Sequence, residues 1–535
     1  MRVGTLPLGF IFRCTCERPA VNGMVNGMTD LYRASSVAAL LEAGAEEAPA
    51  IGAPDRAPLT HRGLRTLASR TVRDLNAMGI GRNDRVAIVL PNGPEMAAAF
   101  IAIAAGATTA PLNPAYRADE FDFYLSDLNA KALLVLDGMD SPALAVAAGR
   151  NIPIIRLVPE RLAGDFRLEA ELSGTAAQAG VAGEDDIALV LHTSGTTSRP
   201  KIVPLSHRNV TASAYHIGNT LALRESDVCL NIMPLFHIHG LIAATLSSIA
   251  AGASVVCTPG FNALKFFSWF QQANPTWYTA VPTMHQAILT RADRNKDIIA
   301  KGRLRLIRSS SSSLPPQVME ALEQTFEVPV IESYGMTEAS HQMASNPLPP
   351  LARFAGCVGL AAGPDVAIMD EAGTLLPAGA LGEVVIRGRN VTQGYEANPE
   401  ANAKAFSNGW FRTGDQGIID DKGYLRLTGR LKELINRGGE KISPLEVDTV
   451  IMDHPAVAQV VTFGMPHDKL GEDVAAAVVL REGAACDERE LRAFVGARIA
   501  DFKVPRKIVF LAEIPKGATG KLQRIGLAEK LGMAG

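Results

Sequence analysis

From Asp84 onward the chain alternates short, wholly apolar runs with stretches of helical period, and this alternation restricts the fold more than any other feature. DRVAIVL (84–90), ALLVL (132–136), IALVL (187–191), VCLNI (228–232), ASVVC (253–257), TWYTAV (276–281), RLRLI (303–307) and PVIES (329–333) read as buried strands. Between them PEMAAAFIAIAAG (94–106), ALKFFSWFQQA (263–273) and PPQVMEALEQTF (315–326) read as helices. Pro94 sits in a favoured first turn. Strands apolar on both faces need helices over both faces, so the spacing predicts parallel sheets in an α/β fold.

After about residue 360 the texture changes. GEVVIRG (382–388), GWFRTGD (409–415) and GYLRLTG (423–429) are short Gly-bounded strands of an antiparallel barrel or meander. A charge-richer segment follows, and SPLE (443–446) reads as a capping box opening a helix. The expected division is a large domain over 28–429 and a small α+β domain over 430–535. SGTAAQAGVAGED (173–185) reads as a surface loop within the first. Residues 1–27 read as a disordered leader, with Met24 or Met28 the natural beginning. MRVGTLPLGFIF has the early charge and apolar patch of a signal peptide, but Gly and Pro break the patch.

Composition excludes several partners. A net charge of −3 announces neither nucleic acid nor an anionic membrane. No run of about 18 apolar residues spans a bilayer. Six scattered cysteines form neither a disulfide framework nor a zinc pattern, so a reducing, cytoplasmic setting is expected.

The stretch TSGTTSRPK (193–201) leaves the carboxyl end of a strand, where α/β sheets bind ligands. Glycine lets the backbone approach an anion, the exposed N–H groups form a nest, and hydroxyls and Lys201 add donors and charge. Phosphate fits such a loop. It is not the Walker pattern, since no Gly-Lys-Ser/Thr follows at the required spacing. Taken alone, a polar turn without a ligand is the better reading of such a loop.

The loop resembles the phosphate loop of the acyl-adenylate-forming superfamily, the AMP-forming acyl-CoA synthetases and their relatives. YGMTE (334–338), GWFRTGD (409–415), GRLKELINRGGEKISPLEV (429–447) and PKGATGK (515–521) resemble the other motifs, in that superfamily's order. The resemblance covers residues 30 to 525. Within it, HTSGTTSRPK, PLFHIHG (234–240), TWYTAVPTMHQ (276–286), MTEASHQMASNPLP (336–349) and NRGGEKISP (436–444) look like the oxalate–CoA ligases.

The resemblance implies ATP-dependent adenylation of a carboxylic acid, then thioester formation with CoA. Thr193, Ser194, Gly195, Thr196, Thr197 and Lys201 are implied at the phosphates. Thr337 is implied at the α-phosphate, and Glu338 as ligand of Mg²⁺, a hard cation that prefers oxygen. Tyr334 is implied against adenine, and Asp415 and Arg430 at the ribose. Lys521 is implied as the catalytic lysine between the attacking carboxylate and the α-phosphate. Ser310, Ser311, Ser312, Gly438, Gly439 and Lys441 complete the implied cofactor contacts, and the family's hinge matches Lys432.

RSSSSSL (308–314) departs from the commoner pattern by replacing a small Gly-Ala-Ala step with serines. With His237, His239, Arg308 and His341 it predicts a polar acid pocket, because polar groups left unpaired against an alkyl tail cost about 1–3 kcal/mol each. His237 and His239 lack a third ligand spaced for metal. A small anionic acid, oxalate first, is the expected substrate. Synthetases for another short, dicarboxylic or aromatic acid, and a silent nucleotide-binding module, stay open at this point.

Overall fold

A computed structural model describes residues 32–193, 200–517 and 521–533. Two parallel-rich sheets form its body. In the seven-stranded sheet Ile154–Pro159, Ala132–Leu136, Arg85–Val89, Thr108–Pro111 and Ile187–Thr193 run parallel. Antiparallel Phe166–Glu169 and Lys201–Ser206 form its edges. The expected phosphate loop therefore joins two arms of a hairpin, Ile187–Thr193 and Lys201–Ser206.

In the nine-stranded sheet six strands run parallel: Pro49–Ala53, Ser254–Cys257, Val228–Asn231, Trp277–Ala280, Leu306–Ser310 and Val330–Met336. Antiparallel Arg56–Thr60 closes one side, and His341–Ser345 with Leu360–Ala361 the other. The helices Pro94–Ala104, Phe266–Ala273 and Pro316–Phe326 stand where their periods predict.

One strand moved. RLRLI promised a strand at 303–307, yet it runs Leu306–Ser310. Arg305 instead pairs with Asp227 at 2.8 Å. Arg308, Ser309 and Ser310, polar by type, are wholly buried. Hydropathy places this strand early because its function-bearing end is polar.

The antiparallel region after residue 360 is a five-stranded sheet, built around Leu381–Arg387 and Trp410–Ile419. Past Arg430 the long hairpin Val457–His467/Gly471–Leu480 carries Ile435–Arg437 and Lys507–Phe510, both on its Gly471–Leu480 arm. Ile435, Val447, Ile451 and Leu491 bury a separate apolar cluster there. Ser443 caps the helix Pro444–Met452 by accepting from the Glu446 N–H. The reciprocal half of the expected capping box is missing, because the Glu446 carboxylate pairs with Lys503 at 2.7 Å. No helix among the described residues is long and apolar enough to cross a membrane.

Glu332 lies buried on Val330–Met336. One of its oxygens accepts from the Leu314 N–H at 2.8 Å, and Oε2 has no partner. Burial pushes this carboxyl from 4.5 up to about 8. The folded state therefore binds the extra proton. Its contribution is full below the unfolded value and is lost as pH rises through the folded one. Glu332→Gln removes that slope. In melts at pH 5 and pH 8, the wild type should lose several degrees relative to the variant on going to pH 8.

Candidate active site

The site opens at the carboxyl ends of the nine-stranded sheet, where α/β sheets hold their ligands. The register that pairs Thr279 with Arg308 sets these two side by side. Arg308 NH1 lies 3.4 Å from both Thr279 Oγ1 and His239 Nε2. Its NH2 lies 3.3 Å from Gln342 Oε1 and 3.5 Å from His341 Nδ1. His239 is pinned at both nitrogens, by Thr279 Oγ1 at 2.6 Å and Ser311 Oγ at 3.0 Å. It begins a π-helical turn, His239–Leu246, a local widening that recurs at functional sites.

Charge explains the character of this cluster. Burial pushes the Arg308 guanidinium down to about 9. Burial also lowers all three histidines, His237 to about 3, with the Lys521 ammonium adding to the effect in each. They are neutral at physiological pH. Among the described residues Arg308 has no carboxylate partner, and its Nε has no acceptor at all.

Backbone strain shapes the same corner. Ser311, Ser340 and His341 have φ of 74, 48 and 98°, sparsely populated values that persist only when surroundings enforce them. At Gly335 any Cβ would meet the His341 carbonyl oxygen at 1.7 Å, so only glycine fits. A register shift in the pairing of Val330–Met336 with His341–Ser345 accompanies this turn. Consecutive residues 341 and 342 thus both reach Arg308, against the usual alternation of a strand.

The nucleotide-side residues form a second cluster. Tyr334 donates its hydroxyl to Asp415 Oδ2 at 2.5 Å, and Arg430 Nε donates to Asp415 Oδ1 at 2.8 Å. Asp415 and Arg430 face each other as a cross-strand pair. The Lys521 ammonium is drawn down to about 8, mainly by burial and next by the Arg430 charge, while Asp415 opposes both. Glu338, nearly buried, accepts from Tyr395 at 2.8 Å, and Lys201 lies 4.3 Å over the Tyr395 ring. Burial raises the Glu338 carboxyl above its usual range despite Tyr395 and Lys201.

Not every expected residue joins these clusters. Ser310 donates to the Ser333 carbonyl, Ser311 meets His239, and Ser312 is exposed. Thr193 pairs across the hairpin with Lys201. Thr337 opens the short turn Thr337–Ala339 that carries Glu338. Ser194, Gly195, Thr196 and Thr197 lie outside the described residues. Gly438 and Gly439, with φ of 61 and 97°, turn a tight hairpin whose arm Glu440–Ile442 contains exposed Lys441. The hairpin's own bonds run to Leu470 and Glu472.

Sequence reasoning missed Thr279, Gln342 and Tyr395, and it missed the segment 389–396. That segment is a strap across the site. Glu396 N donates to Ile202 O, and Thr392 Oγ1 to Pro204 O, on the hairpin that flanks the expected phosphate loop. Thr392 N donates to Glu338 O, and Asn390 Nδ2 to Ala339 O and Gln342 O, on the acid side. Polarity inside an otherwise Gly-rich connection was the only signal.

A buried lysine near the C-terminus, brought within electrostatic reach of a buried Tyr-Asp-Arg cluster and set beside a cationic pocket at the sheet ends, defines an adenylate-forming enzyme. The AMP-binding enzyme family matches residues 40–396, and its C-terminal domain matches residues 446–521. The chain belongs to the AMP-binding enzyme family. It is 47% identical to a probable CoA ligase of Humulus lupulus, over 88% of this chain and 91% of that one. It is 45% identical to an oxalate–CoA ligase of Arabidopsis thaliana, over 91% and 97% respectively. Among solved structures, ATP-bound MatB from Rhodopseudomonas palustris superposes with a TM-score of 0.84 at 30% identity, covering 93% of this chain and 98% of that one.

Proposed function

We propose that this protein is an AMP-forming oxalate–CoA ligase, and that the buried guanidinium of Arg308, without a carboxylate partner among the described residues, is what fits it for oxalate. A buried charge is costly unless paired, and here the described neighbours are neutral. A carboxylate is the natural complement of a guanidinium fork. Oxalate has two carboxylates, so one can sit on Arg308 while the other reacts. The Arabidopsis relative's activity supports the same acid.

In the proposed reaction an oxygen of the free carboxylate attacks the α-phosphorus of ATP, forming oxalyl-AMP and releasing pyrophosphate. The CoA thiol then attacks the acyl carbon, loses its proton and displaces AMP. Lys521 holds the attacking oxygen and the α-phosphate together. Thr337 donates to that phosphate. Lys201 and the residues 193–197 hold the outer phosphates. Asp415 and Arg430 take the ribose, Tyr334 borders adenine, and Ser310, Ser311 and Ser312 edge the nucleotide. His237, His239 and His341, held neutral, act as hydrogen-bonding groups around the acid. Gly438, Gly439 and Lys441 serve the CoA step after the segment past Lys432 turns.

Mg²⁺ fits Glu338. Its carboxylate is an oxygen ligand whose burial leaves the charged form under-compensated, so a hard cation has something to gain there. The ion supplies charge neutralisation on the phosphates when bound. An aqueous compartment stocked with ATP and CoA, the cytoplasm, is the proposed location.

The test is kcat/KM for oxalate, malonate, acetate and octanoate with ATP and CoA. Oxalate should lead acetate and octanoate by orders of magnitude, since a site built around donors rejects analogues that leave them unpaired. His341→Ala should narrow that lead while KM for ATP stays nearly constant. A wild type preferring octanoate, or a variant losing ATP and every acid alike, would overturn the oxalate assignment.

A further inference from the structure

Gln342 is wholly buried and, among the described residues, is the only side-chain amide hydrogen-bonded to Arg308. Its orientation is dictated by its other neighbours. Thr220 spends its hydroxyl proton on the His216 carbonyl at 2.7 Å, which leaves its oxygen as an acceptor. Gln342 Nε2 lies 2.9 Å from that oxygen and 3.3 Å from the Ala362 carbonyl. Both amide protons therefore point away from Arg308, and the amide oxygen faces it at 3.3 Å. Two acceptors at Nε2 thus fix which end of the amide faces Arg308.

A glutamate here would be nearly isosteric and would place a full negative charge on Arg308. A buried ion pair inside the protein would then replace the one made with substrate. We infer that Gln342 is the specificity-determining positioning residue of the acid pocket: as a neutral acceptor it steers the Arg308 fork without neutralising it, and so keeps that cation available for the second carboxylate of a small dicarboxylate. This rests on the oxalate reading above, and it adds the reason the cation stays unpaired.

Oxalate binding and stability should separate between two variants, which a residue of merely structural importance does not give. In Gln342→Glu, KM for oxalate rises about 10²-fold or more, because one buried charged contact is both lost and replaced by a like charge. KM for ATP stays within a few-fold, and Tm stays near that of the wild type, the new ion pair with Arg308 offsetting the carboxylate oxygen set against the Ala362 carbonyl. In Gln342→Met, which lacks charge and acceptor, Tm falls while KM for oxalate changes by only several-fold.

The experiment measures KM for oxalate, KM for ATP and Tm for the full-length wild type and both variants. A Glu variant that binds oxalate as the wild type does would overturn the inference, and so would a Met variant that loses oxalate as completely as the Glu variant. These outcomes differ from failure of the oxalate reading itself, in which the wild type prefers acetate or octanoate; that result would overturn both.

Discussion

Lys521→Ala is expected to slow acyl-adenylate formation by about 10²-fold or more, the range for deleting one preorganised donor to a developing charge. The reacting groups are both anionic, a carboxylate and a triphosphate, and their mutual repulsion must be overcome within a buried site. Two unit charges about 4 Å apart interact by roughly 4 kcal/mol at an effective dielectric near 20, so one ammonium between them is worth much of that barrier. Burial holds the ammonium at about 8 in the free protein. The rate at low substrate should accordingly decline above pH 8 as the lysine loses its proton. Thioester formation from supplied acyl-AMP should change far less, because the anhydride already exists and the carboxylate–phosphate repulsion has gone. Pyrophosphate exchange reports the first step and CoA thioester release the second. Equal losses in both would remove Lys521 from the adenylation role.

Arg308→Gln is expected to lower kcat/KM for oxalate by about 10³-fold, as for truncating one partner of a buried hydrogen-bonded charge pair. Acetate, which offers nothing to the fork, should lose little. The preference for oxalate over acetate then collapses. Stability should move the other way. Taking an unpaired charge out of a dry site relieves a desolvation cost, so Tm should hold or rise. An acid panel with melting curves checks both halves. Parallel loss of activity on every acid, with a lowered Tm, would mean that Arg308 only supports the fold.

Much of this was legible before any coordinates. The parallel sheets follow from runs such as ALLVL and IALVL, which match their strands because burial on both faces leaves an unbroken apolar signature. The motifs that resemble nucleotide sites stood out because they group particular residue types close together in sequence. The acid pocket was only half readable. His237, His239, Arg308 and His341 stood out as polar residues in apolar contexts. Thr279 and Gln342 did not, since one lies on a buried strand and the other follows a positive-φ residue that breaks strand alternation. Tyr395 reaches Glu338 across 57 residues, a distance that no local pattern encodes.

On its acid side the strap over residues 389–396 grips main-chain oxygens, those of Ala339 and Gln342, while Tyr395, Glu396 and Arg389 reach the side chains of Glu338, Arg85 and Glu184. Carbonyl groups are common to every amino acid. On that side the strap is thus indifferent to which side chains line the half of the site expected to hold the acid. Substitutions at Gln342 or His341 can retune the acid while the alignment survives. A scaffold fastened in this way is free to diversify in substrate over evolutionary time without rebuilding its adenylation chemistry, and it offers an engineer the same freedom.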